Sequence, residues 1–133
     1  MDILVTFGSG LKVNAHFKNF TVNTDQAKQV GGEETYPDPF SYFLSSLATC
    51  AGFFVLRFCQ SRDIQTTGIQ VKMSNDWNPT KKLVENIQIE IIVPPIFPEK
   101  YIQALIRSVN ECSVKKMLIT PPHIEVTTKV VEG

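Results

Sequence analysis

Apolar and polar positions recur along the chain with two different periods. Ile3, Val5 and Phe7 fall on alternate residues, and so do Leu11, Val13 and Ala15 after "GSG". This is the pattern of two short strands joined by a turn, and Phe20 with Val22 extends it to a third strand. "QVGGEETYPDPF" interrupts the alternation as a loop. Asp38 is a good N-cap and Pro39 suits the first helical position, so a helix is expected from there to about Arg62. Beyond it, Ile69, Val71 and Met73 mark a strand, and "NPTKK" a turn. Ile87, Ile89, Ile91 and Val93 mark a further strand that Pro94 and Pro95 end. "FPEKYIQALIRSVNECSVKKML" reads as a second helix with Tyr101, Leu105, Ile106 and Val109 on its apolar stripe. "PPHIEVTTKVV" reads as a last strand through Ile124, Val126, Thr128 and Val130. The predicted order is β(2–3)–α–β–β–α–β. Hairpins dominate, so the fold class is α+β with mainly antiparallel sheets.

The first helix carries no charge from Phe40 to Leu56. That stretch is at the lower limit for a membrane span, is seeded with Ser41, Ser45, Ser46 and Thr49, and is followed by Arg57. It reads as a buried helix. Phe40, Leu44, Leu47, Ala51, Phe54 and Phe58 share one face at helical spacing. Ser45, Thr49 and Gly52 form a stripe of small residues, and Tyr42, Ser46, Cys50, Phe53 and Arg57 form a third stripe. A helix that is apolar over most of its circumference is buried on most sides. One short chain has few elements to cover it, so an obligate homodimer is expected.

Composition narrows the classes further. The 133 residues are expected to form a single domain, 1–133. Thirteen Lys and Arg balance thirteen Asp and Glu. That balance argues against a nucleic-acid surface or a polybasic membrane patch. "MDILVTFGSG" does not read as a signal peptide. Three cysteines without CxxC spacing indicate reduced thiols in a cytoplasm rather than a disulfide scaffold. With only His16 and His123 present, no Cys/His metal site is expected.

Two of the thiols stand out. Cys50 shares its stripe with Arg57, a cation that would favour a thiolate. Cys112 lies near the end of the second helix. If the chain breaks there and Ser113 opens a new turn, the Cys112 sulfur would sit near exposed backbone N–H groups, which stabilise a thiolate. From the residues alone, each reads first as a small buried hydrophobe, and Cys59 carries no second clue at all.

Taken together, "GG…PDPFSYFLSSLATCAGFF", "NECSVKKML" and "PPHIEV" resemble the OsmC/Ohr superfamily. The resemblance covers nearly the whole chain in the same element order. It implies an intertwined homodimer, with long Cys-bearing helices at its centre wrapped by antiparallel sheets. It implies thiol-dependent reduction of organic hydroperoxides in oxidative-stress defence, with no bound cofactor and a dithiol as reductant. By motif, Cys50 would be the peroxidatic thiol and Cys112 the resolving one. Phe40, Phe43, Phe53 and Phe54 would line the apolar substrate cleft.

The chain departs from the Ohr branch where that branch places a Glu after the helix-starting Pro and pairs it with an N-terminal Arg. Here Phe40 follows Pro39, and the first arginine is Arg57. Arg57 is the preferred replacement cation, with Lys12, His16, Lys18, Glu33 and Glu34 as weaker substitutes. The alternatives to a peroxidase are a non-catalytic module for small apolar ligands and a thiol oxidoreductase of undefined substrate.

Overall fold

A computed structural model describes residues 1–132. By internal contacts the chain divides into two compact units, one through Ser46 and one from Leu47 onward. Both combine helix with antiparallel sheet, so the α+β class holds.

In the first unit, β1 (Leu4–Phe7), β2 (Val13–Phe17) and β3 (Phe20–Thr24) form an antiparallel meander. Val5 pairs with Ala15, and Ala15 with Val22, which keeps the alternating apolar positions on one face. His16 ties the three strands together through Thr6 Oγ1 at 2.8 Å and Thr21 Oγ1 at 3.3 Å. The loop after β3 folds around Asp25, which is fully buried. Its carboxylate accepts the N–H of Gln26 at 2.8 Å and of Thr35 at 3.1 Å, with Lys12 Nζ at 3.9 Å. The two glycines of "QVGG" are both required. Gly31 has φ 101°, and a Cβ on Gly32 would lie 2.0 Å from the Gln26 carbonyl oxygen.

The long helix α1 (Pro39–Gln60) starts as its sequence predicts. Asp38 Oδ2 accepts the N–H groups of Phe40 at 3.1 Å and Ser41 at 3.3 Å. Tyr42 donates its hydroxyl to the Asn23 carbonyl at 2.7 Å, fixing the first turns against the end of β3. By length and composition α1 would suffice to cross a membrane. It buries Leu47, Ala51, Val55, Phe58 and Cys59 within this chain, as the core helix of a packed unit does. It ends at Gln60 rather than near Arg62, whose guanidinium folds back 3.6 Å from the Phe58 ring centroid.

In the second unit, β4 (Gln70–Asn78) and β5 (Leu83–Ile92) form a hairpin with an irregularity at Asp76–Trp77. Asn78 Oδ1 caps its turn by accepting the N–H groups of Thr80 and Lys81. Ile89, Ile91 and Val93 face the core of Ala51, Val55, Phe58, Cys59, Phe97, Leu105 and Val109. The expected second helix is in fact three pieces. A single 3-10 turn (Glu99–Tyr101) leads into α2 (Ile102–Val109), and α3 (Ser113–Ile119) follows a break. Asn110 is a poor helix former. Glu111 and Cys112 turn their N–H groups to Ser108 and Val109, each at 3.1 Å, which tightens and ends α2.

The expected last strand does not form. Among the described residues, 121–132 join no strand, and Ile124, Val126 and Val130 are exposed. Alternation gives a segment an apolar face, but a strand exists only once its N–H and C=O groups find a ladder.

Backbone donors hold the Asp25 carboxylate below the usual aspartate range although burial pushes it up. The stabilisation is therefore complete above the ordinary aspartate pKa and lost as pH falls through the lowered folded value. Asp25→Asn is expected to lower the melting temperature at neutral pH. That deficit should narrow in acid, where wild type loses its own carboxylate; thermal melts across pH read it directly.

Candidate active site

The break between α2 and α3 positions the chemistry. Cys112 is the residue before α3 and leaves helical geometry, with φ −52° and ψ 124°. This turns the start of α3 toward the middle of α1, where Cys50 is half-buried. The two thiols lie near enough to shift each other's ionisation, and neither is in a disulfide. Ser113 Oγ lies 3.9 Å from Cys50 Sγ.

The surroundings treat the two sulfurs differently. Burial pushes the Cys50 thiol up, but four hydrogen bonds together outweigh it. They come from the Cys112 thiol, the Val114 N–H, the Ser113 hydroxyl and the Ser113 N–H, and they hold Cys50 below the ordinary cysteine value. At Cys112, burial is again the largest influence and pushes up. The hydrogen bond with Cys50 pushes the same way, and the N–H groups of Lys115 and Val114 offset only part. Cys112 stays above the ordinary value. The expected stabilisation by backbone N–H groups at the helix break is thus present, but its net beneficiary is Cys50. Cys59 is fully buried in the core, and burial raises its pKa against a weaker opposing pull from Arg62.

The other residues singled out in the sequence are placed as follows. Arg57 is exposed at the far end of α1, with its guanidinium 5.9 Å from the Phe53 ring centroid. It is not among the groups that lower Cys50. Lys12 pairs with Glu33 at 3.0 Å within the first unit, and Glu34 accepts the Lys28 N–H there. His16 is held by its two threonines. Phe40 meets Phe43 at 5.6 Å between ring centroids, and Phe53 meets Phe54 at 5.5 Å. Neither pair lines the cavity beside Cys112. That cavity, of about 500 Å³, is walled by aliphatic side chains of β5, α2 and α3, among them Ile89, Ile91, Leu105, Ile106 and Leu118. Lys115 and Asn110 bring polar groups to its lining and hydrogen-bond each other. Among the described residues, no group of three or more His, Cys, Asp or Glu side chains is gathered for a metal.

Sequence reasoning passed over Ser113 and Val114 as donors to Cys50. The available signal was "CSV": a cysteine just outside a helix is followed by residues whose N–H groups are free of intrahelical partners.

The OsmC-like protein family model matches residues 31–127. The chain belongs to the OsmC-like family. No curated protein matches the sequence. Solved structures agree on the fold. A protein described as an osmotic stress induced and detoxification response protein of Psychrobacter arcticus is 20% identical, with TM-score 0.72 over 86% of this chain and 85% of that one. An OsmC-like protein of Mycoplasma pneumoniae is 20% identical, with TM-score 0.69 over 90% and 87%. An organic hydroperoxide resistance protein, OsmC, of Legionella pneumophila is 13% identical, with TM-score 0.53 over 89% of each. At these identities the likeness is one of fold.

Because its pKa is lowered, Cys50 becomes a thiolate at a lower pH than a free cysteine, whereas Cys112 and Cys59 ionise later. Iodoacetamide at neutral pH is therefore expected to label Cys50 first. Peptide mass mapping over a time course checks this, and equal labelling of Cys112 would contradict the asymmetry.

Proposed function

We propose that this OsmC-like protein is a thiol peroxidase for organic hydroperoxides, acting in oxidative-stress defence. The observation that carries the reading is the pair of neighbouring thiols with opposite shifts, set where the start of α3 brings Ser113 Oγ to 3.9 Å from Cys50 Sγ. A nucleophile needs a high thiolate fraction, and a resolving thiol must stay protonated until it is called on. The Cys50 thiolate attacks the distal oxygen of ROOH, the O–O bond breaks, and the alkoxide takes a proton to leave as ROH. Cys50 is then a sulfenic acid. The Cys112 sulfur attacks it, the disulfide forms, and the Cys112 proton leaves with the hydroxyl as water. A dithiol reductant restores both thiols by exchange and is itself oxidised. No bound cofactor enters these steps. The reading places the protein in the cytoplasm, where such reductants are kept.

Steady-state turnover of cumene hydroperoxide with a dithiol tests it. Cys50→Ser is expected to abolish turnover. Cys112→Ser should still consume about one equivalent of peroxide and then stall as the sulfenic acid. Unchanged turnover in Cys50→Ser would refute the assignment. The aliphatic cavity favours one other reading, a binding module for apolar ligands. A ligand that raises the melting temperature equally in the double cysteine variant, without any peroxide turnover in wild type, would favour that module.

We also propose that the working form is one domain per chain paired into a homodimer. Ile3, Leu4, Val5 and Phe7 are all exposed along β1, and so are Ile124, Val126 and Val130 beyond α3. In each unit, apolar exposure of this kind goes beyond the scattered exposure normal for a monomer. A second copy of the chain supplies a matching surface of the same kind. Sedimentation equilibrium is expected to give twice the chain mass at low micromolar concentration. A single-chain mass there would refute the dimer.

A further inference from the structure

Position 113 has a backbone that would suit a proline. It is the first residue of α3, where the N–H has no intrahelical partner and a fixed φ is already helical. Cys112 before it has φ −52° and ψ 124°, the extended conformation that a following proline demands. A proline would also lower the entropy of the unfolded chain at no conformational cost. The residue present is Ser113, and its side chain reaches toward Cys50 rather than capping its own helix. A serine keeps two donors that a proline lacks, the N–H and the hydroxyl.

We propose that Ser113 holds the Cys50 thiolate by donating both its hydroxyl and its backbone N–H to the sulfur. A thiolate carries no proton, so across the 3.9 Å contact the hydroxyl has to be the donor. The Val114 N–H completes the donor set from the main chain, where no substitution but proline removes it. Arg57, directed onto Phe53, supplies no such contact. The inference rests on the reading of Cys50 as the nucleophile and names the group that makes it one.

The test measures the rate of Cys50 alkylation by iodoacetamide against pH, with no peroxide present. Wild type runs beside Ser113→Ala, Ser113→Pro and Ser113→Thr, and peptide mass mapping assigns the labelled thiol. Ser113→Ala removes one donor, and its midpoint is expected to rise by about half a pH unit. Ser113→Pro removes both, and a rise of about one unit is expected. Ser113→Thr should restore the wild-type midpoint. In each variant the plateau rate at high pH should rise by no more than about threefold, because a more basic thiolate is only slightly more nucleophilic. Unchanged midpoints in both Ser113→Ala and Ser113→Pro would overturn the proposal, as would a threonine variant that behaves like alanine. If the proline variant fails to fold, the alanine and threonine pair decides alone. A wild-type midpoint at the ordinary cysteine value would instead strike at Cys50 as nucleophile, so the two failures are distinguishable.

Discussion

Where two thiols lie side by side, one can keep its proton while the other gives its proton up, and the surroundings of Cys50 and Cys112 assign those roles. Cys112 is almost wholly removed from solvent, which disfavours its charged form and keeps its proton in place. Cys50 receives that proton's hydrogen bond together with those from Ser113 and Val114. The rest of the second unit can be understood as what makes this contact possible. Leu47, Ala51, Val55 and Phe58 anchor one side of α1, and Leu105 and Val109 anchor α2 in the same core. The chain then has to leave α2 at Asn110 and re-enter a helix at Ser113 for the sulfurs to meet. A continuous helix through Cys112 would have engaged the N–H groups of Ser113 and Val114 in its own ladder and left none for Cys50.

Much of this was legible in the sequence, for identifiable reasons. Strand and helix periods located the three-stranded meander, α1 and the β4–β5 hairpin, because each strand finds its ladder next in sequence and α1 finds its core within the chain. Asp38 and Pro39 marked the start of α1, since a cap acts on the N–H groups that follow it directly. The failures share a cause as well. A strand was expected through Ile124 and Val126, but alternation does not reveal where a ladder partner will come from. A helical wheel put Arg57 on the stripe of Cys50, but a wheel shows only what one helix presents. The groups that lower Cys50 arrive from α3, distant in sequence and joined by tertiary structure alone. The same holds for the apolar cavity. It is walled mainly by aliphatic residues of β5, α2 and α3, with Leu47 from α1.

Membership of the OsmC-like family accounts for the fold, and the site is where this chain adds its own chemistry. In the first unit Lys12 is held by Glu33 and Asp25. In the second unit Cys50 is met by dipoles. Each of these is weaker than a cation at equal distance, yet several act together at contact range in a partly desolvated place, where hydrogen bonds to a charged atom are strongest.

Neutral donors have a consequence that a charged partner would not share. Mobile ions weaken the attraction between separated charges over about 10 Å at ordinary salt, and far less the alignment of an N–H or hydroxyl touching a sulfur. A thiolate held in this way keeps its reactivity nearly constant between dilute and concentrated electrolyte. In this chain, then, the ionic strength of the surroundings can vary widely while Cys50 ionises at nearly the same pH.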